Sequence, residues 1–191
     1  VKAIGFITEK SKIQMLDEDH RVARFLRQND VVVFPMPWDE FDPIAFSKLD
    51  MAIFRTPWNY LADLPKFLEW LKVLGGLKVP LHNPLPIVYW NLDKHYLREL
   101  AAKGVPTVPT LYFKTQDFSL SLEWPTSPTD YYVLKPVVSA SARKTFKGDR
   151  LFLTDILTEE SFYQPSEGLM RQPFVESVVT EGAYSFVFFN G

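Results

Sequence analysis

Two lysines stand where packing alone does not explain them. Lys135 closes the apolar run Tyr131–Leu134 in YYVLKPVVSASARKTF, and Lys94 lies early in the helix-forming stretch WNLDKHYLREL. An ammonium group that ends a buried strand is desolvated unless something negative meets it. It is a compact charge with several donors, and phosphate oxygens suit it. The loop after Lys135 adds Ser139, Ser141, Thr145 and a run of backbone N–H groups, which together can cover phosphates. Residues 135–150 hold Lys135, Arg143, Lys144, Lys147 and Arg150 against Asp149 alone. A solvated basic hairpin tip fits that segment as well as a phosphate site does. The spacing is not that of a Walker A loop.

A third stretch, LMRQPFVES (Leu169–Ser177), runs an apolar strand into Gln172, Pro173, Phe174 and Val175. Proline cannot donate to a ladder, so the expectation is an open sheet margin here. Such a margin offers one carbonyl and one N–H, the pair that an adenine rim can use; an ordinary edge strand leaving its sheet is the competing reading. Arg55 and Asn59, in FRTPWNY, follow a strand at a position where open α/β sheets bind ligands. Arg55 could grip a substrate carboxylate or form an internal salt bridge.

Other chemistries find little footing. His20, His82 and His95 are scattered without metal-ligand spacing, and no GxSxG elbow is present. The first strand-to-helix turn has no GxGxxG. The absence of cysteine excludes disulfides and thiolate metal sites and fits a cytoplasmic protein. A net charge of −2, from 21 basic and 23 acidic residues, argues against a general nucleic-acid binder. No apolar run has the length of a membrane span, and VKAIGFITEKSK does not read as a signal peptide. With 47% hydrophobic and 15% aromatic residues, the chain can build a substantial core.

The elements that must position these residues follow from periodicity. Strands are expected at Lys2–Thr8, Val31–Phe34 and Met51–Phe54, with helices at Leu16–Gln28 and Leu64–Leu74. That series predicts a small open α/β sheet, parallel at its centre. The run His82-Asn83-Pro84 with Pro86 marks a break, dividing the chain into residues 1–85 and 86–191. A helix is expected from Asn91, as its cap, to Lys103, with Gly104 as its stop. Strands follow at Leu111–Phe113, Tyr131–Leu134, Leu151–Leu153, Gly168–Val175 and Ala183–Phe189, an α+β arrangement with a mostly antiparallel sheet.

In this order, WNLDKHYLRELAAKGVPTVPT, YYVLKPVVSASA and LMRQPFVESVVTEGAYSFVFFNG resemble the ATP-grasp superfamily, in its glutathione-synthetase-like branch that includes ligases of the cycloserine-synthesis type. The first half resembles the α/β domain that precedes ATP-grasp in that branch. The resemblance implies ATP as ligand, with Lys94 and Lys135 on its phosphates, Ser139 and Ser141 in the covering loop, and Gln172, Pro173, Phe174 and Val175 as the adenine hinge. It implies a ligase that joins a small carboxylate substrate to an amine, or a thiol, through an acylphosphate. A non-catalytic nucleotide-binding protein on the same fold is the alternative. The family's EGE motif reads Glu181-Gly182-Ala183 here, so Glu181 is the remaining acid near the ribose. The family's Mg2+ ligands lie beyond FVFFNG, which makes an incomplete chain the expectation.

Overall fold

A computed structural model describes residues 2–114, 123–140, 142–159, 168–182 and 184. The chain divides into two compact units, Val1–Leu92 and Asp93–Gly191.

The first unit is built on a four-stranded parallel sheet in the order β2-β1-β3-β4. Its strands are β1 (Lys2–Thr8), β2 (Val31–Pro37), β3 (Met51–Thr56) and the short β4 (Leu81–His82). β2 carries Pro35 and Pro37 and lies at the sheet edge, where a missing N–H costs no ladder bond. Gly5 in β1 is required by close approach, because a Cβ there would meet Leu49 Cδ1 at 2.5 Å. Helix α1 (Asp17–Arg27) joins β1 to β2, and α2 (Pro43–Ser47) precedes β3. Asp42 caps α2, accepting from the N–H groups of Ile44 and Ala45, with Pro43 pre-set for the first turn. In α3 (Leu64–Gly76), Phe67, Trp70, Leu71 and Leu74 recur at helical spacing. They meet Ile7, Trp38 and Phe46 in one aromatic-rich core. Helix α4 (Leu85–Leu92), which sequence periodicity did not reveal, packs Leu85, Val88 and Leu92 against that core. The sequence-based division at residue 85 therefore falls before a helix that packs with the first unit.

The second unit carries an antiparallel sheet in the order β5-β8-β6-β7. Its strands are β5 (Leu111–Lys114), β6 (Tyr132–Pro136), β7 (Phe146–Gly148) and β8 (Gly168–Pro173). Helix α5 (Tyr96–Ala102) precedes the sheet, and Gly104 ends it with a φ of +81°, a conformation open to glycine. Residues 151–153, expected as a strand, belong instead to helix α6 (Arg150–Thr158). Asp149 caps this helix at the Phe152 N–H, and Leu153, Ile156 and Leu157 form its buried stripe. A three-residue apolar run fits either period; the cap decides it. The stripe packs on Tyr132, Leu134 and Leu169. The strand expected at 183–189 falls almost wholly outside the described residues. Among the described residues no helix is long and apolar enough to cross a membrane.

Candidate functional site

Strand alternation gives the second sheet two unlike faces. Tyr132 and Leu134 point into the core with α6. Val133 and Lys135 point the other way, and the register aligns Lys147, Met170, Gln172 and Tyr112 with them. Phe174 extends the same row, since its N–H donates to the Tyr131 carbonyl at 2.8 Å. The Lys147 ammonium lies 3.5 Å from the centroid of the Phe174 ring and 5.6 Å from that of Tyr131. This face therefore combines cations with aromatic rings around the fully buried Met170.

Lys94 comes to the same face from the turn between α4 and α5. It does not lie within a helix, and His95, not Asn91, precedes α5 at its cap. The backbone of Lys94 is fixed from both sides. Its N–H donates to the Val137 carbonyl at 2.9 Å, and its carbonyl accepts from the Tyr112 hydroxyl at 3.0 Å. Tyr112 is itself stacked on His95, with ring centroids 4.5 Å apart, and lies under the Arg98 guanidinium. His95 pairs with Asp93 at 2.7 Å, which ties it locally.

The ammonium of Lys94 donates to the Ser139 carbonyl at 2.6 Å, the Ser139 hydroxyl at 3.0 Å and the Val137 carbonyl at 3.4 Å. All three acceptors are neutral, so its hydrogen-bonding capacity is met while its charge is not. Burial first, and the like charge of Lys135 second, push the Lys94 ammonium down to about 8; Asp93 offsets part of this. Burial also lowers Lys135. Neither lysine is in a salt bridge with a carboxylate among the described residues. Two partly desolvated cations thus lie on one face without a carboxylate partner among the described residues. Ser139 joins this group directly. Ser141 lies outside the described residues.

The hinge differs from its expected form. β8 is an interior strand, flanked by β5 and β6, and not a sheet edge. The open margin arises because β5 pairs only as far as Arg171, opposite Leu111. Since Tyr131 and Phe174 form a hydrogen-bonded pair with β6, alternation turns the polar groups of Pro173 and Val175 toward the side that β5 leaves. The Val175 N–H has no hydrogen-bond acceptor among the described residues. Gln172 is buried and donates from its amide to the Thr110 hydroxyl at 2.8 Å, which fixes the margin. Glu181 is exposed and follows the short helix α7 (Ser177–Thr180).

The first unit gives Arg55 and Asn59 internal partners. Arg55 donates through Nε at 2.7 Å and through a terminal nitrogen at 2.5 Å to Asp19, which is 1% exposed. The Asn59 side chain accepts from Trp38 Nε1 at 2.6 Å and donates to Asp39 at 2.8 Å, while its N–H donates to Glu9 at 2.6 Å. Arg55 thus ties β3 to α1, and Asn59 ties the segment after β3 to Glu9 at the end of β1, where the Thr8 and Thr56 hydroxyls also pair at 2.6 Å. Of the two readings of Arg55, this geometry supports the internal salt bridge. Among the described residues no group of three or more His, Asp or Glu side chains could hold a metal ion.

Sequence reasoning missed Tyr112, whose part is played through a backbone carbonyl, and Arg171. Arg171 is buried against the rings of Trp124 and Phe113, and burial pushes its guanidinium down to about 10. Its place on the core face of β8 could have been read only with the strand register in hand.

Comparison with known proteins agrees with this architecture. The chain shares its fold with solved ligase structures. Residues 4–83 match the family model of the N-terminal domain of the D-cycloserine synthetase DcsG. The cycloserine biosynthesis protein DcsG of Streptomyces lavendulae is 28% identical over 166 residues, covering 81% of this chain and 52% of that protein. The crystal structure of D-cycloserine synthetase DcsG superposes with a TM-score of 0.77 at 22% identity, over 94% of this chain and 62% of that one. A D-alanine–D-alanine ligase from Bacillus anthracis superposes with a TM-score of 0.59 at 17% identity, over 92% and 58% of the two chains. The chain thus spans about half the length of the curated relative it matches.

Proposed function

We propose that this chain provides the nucleotide-binding part of an ATP-dependent carboxylate–amine ligase. The observation that carries the proposal is the pair Lys94 and Lys135, which converge without a carboxylate counter-charge on the face that ends at the Pro173–Val175 margin. Lys94 and Lys135 hold the phosphates of ATP, Ser139 closes over them, and the Pro173 carbonyl and Val175 N–H receive the purine, with Gln172 and Phe174 bracketing it. The similarity to D-cycloserine synthetase and D-alanine–D-alanine ligase favours a ligase over a purely nucleotide-binding protein.

In the reaction, a carboxylate oxygen attacks the γ-phosphorus, the bond to the bridging oxygen breaks, and ADP departs. The amine then attacks the acyl carbon, inorganic phosphate leaves with the bonding electrons, and the nitrogen gives up a proton. Charge on the transferring group must be neutralised. The two lysines supply part of that neutralisation. Mg2+ is the other source in ATP-grasp ligases, and the described residues include no group of three or more His, Asp or Glu side chains that could hold it.

Titration calorimetry with ATP tests the proposal. Lys135→Ala should weaken binding by at least ~1.5 kcal/mol, the size of a charge-assisted hydrogen bond. An unchanged dissociation constant removes Lys135 from the phosphate site.

A further inference from the structure

The first unit contains a cavity of about 430 Å3 beside the carboxyl end of β3 and under α4. That volume falls in the range of small-molecule sites, ~300–1,000 Å3. Its walls are aromatic and aliphatic: Phe54, Trp58, Tyr60, Phe67 and Trp90, with Ile87 at an exposed position. Aromatic residues of this unit would be expected to fill its core, and Phe67 does. Trp58 does not. It begins a one-turn 3-10 segment (Trp58–Ala62) and remains 54% exposed.

The polar groups of the wall have a common character. They are the Tyr60 hydroxyl, the indole N–H groups of Trp58 and Trp90 and the amides of Asn83 and Asn91, and all are neutral. The side chains of Tyr60, Trp58, Asn83 and Asn91 make no hydrogen bond among the described residues, in contrast to the neighbouring Asn59, whose amide is engaged at both its oxygen and its nitrogen. Burial raises the Tyr60 phenol, so it remains a neutral donor. No acidic or basic side chain lines the space. Apolar walls with a few unengaged neutral donors and acceptors define a ligand site that rejects ions, because a charge entering it would be desolvated without a partner.

We propose that this cavity binds a small neutral molecule that presents a flat apolar group together with amide or carbonyl groups. The assignment is independent of the nucleotide reading, since none of its residues belongs to the second unit.

The test uses the full chain, isotope-labelled, with N-acetylphenylalaninamide as the probe and 3-phenylpropionate as its charged counterpart. The neutral probe should produce saturable shifts in the side-chain signals of Asn83, Asn91 and Trp58. The carboxylate should bind at least about tenfold more weakly, reflecting uncompensated burial of its charge. Ile87→Trp, at a half-exposed wall position, should fill the space and abolish the shifts. Should that variant fail to fold, Tyr60→Phe serves instead and should weaken binding several-fold through loss of one hydrogen bond. Absence of saturable shifts, equal affinity for the carboxylate, or shifts that survive both substitutions overturns the proposal. ATP added to the same sample perturbs the surroundings of Lys94 and Lys135 or it does not, so the two readings fail separately.

Discussion

The two units treat buried charge in opposite ways. In the first, the polar side chains near the carboxyl ends of β1 and β3, including Arg55 and Asn59 that sequence reading singled out, are answered from within. Arg55 meets Asp19, Asn59 meets Trp38, Asp39 and Glu9, and Thr8 meets Thr56. In the second, Lys94 and Lys135 are both partly withdrawn from water without a carboxylate salt bridge, and the Lys94 ammonium meets only neutral acceptors. A desolvated ion with an opposite charge in contact is part of the framework. A desolvated ion without an opposite charge in contact is costly to keep charged, and that is the observation behind the proposed phosphate site. The distinction lies in the partner and not in the residue type, since Arg55 and Lys135 both follow apolar strand residues in sequence.

The largest expected effect tests the framework side. Arg55→Ala strands the Asp19 carboxylate, which is 1% exposed. Breaking a fully buried pair costs ~3–5 kcal/mol, and partial exposure of the guanidinium reduces this to about 2–3 kcal/mol. Chemical denaturation should show that loss while the ATP dissociation constant remains unchanged. A weakened ATP affinity in a still-folded variant would move Arg55 into the ligand class.

The pH dependence of binding comes next in size and sharpens the second unit. Only the protonated Lys94 attracts phosphate, and its ammonium titrates near 8. Raising the pH through that value removes the charge, so affinity for ATP should fall about tenfold between pH 7 and 9. Bound phosphate holds the proton, so binding near pH 8 should take up about half a proton, readable from calorimetry in buffers of different ionisation enthalpy. A flat profile with no proton uptake would show that Lys94 does not carry the phosphate charge.

A smaller effect is expected at Tyr112. Its hydroxyl holds the Lys94 carbonyl at 3.0 Å, so Tyr112→Phe removes one neutral hydrogen bond, worth about 1 kcal/mol, and loosens the lysine. ATP binding should weaken by a few-fold, and the pH midpoint should move upward as the Lys94 ammonium gains access to water. A purely structural role would lower stability and leave that midpoint in place.

Much of this was legible in the chain itself. The runs Lys2–Thr8 and Met51–Phe54 are compact and apolar and do form strands, the second continuing to Thr56, and α3 repeats its apolar residues at helical spacing. Lys94 and Lys135 stood out because a cation beside apolar elements is costly. What escaped is what depends on distant partners. Residues 151–153 are too few to show a period, and Asp149 at the helix cap settles their form. β8 lies inside its sheet because of strand order, which no local pattern encodes. Asp19 reads as a helix-start acid until β3 brings Arg55 to it from 36 residues away. Tyr112 matters through its hydroxyl and the backbone, so its residue type carries no signal.

The most direct test is a crystal structure of the chain with a non-hydrolysable ATP analogue. The phosphate oxygens should lie within hydrogen-bonding distance, about 3 Å, of both the Lys94 and Lys135 ammonium groups, with the purine edge on the Pro173 carbonyl and Val175 N–H. A nucleotide bound elsewhere, or one touching neither lysine, would contradict the account.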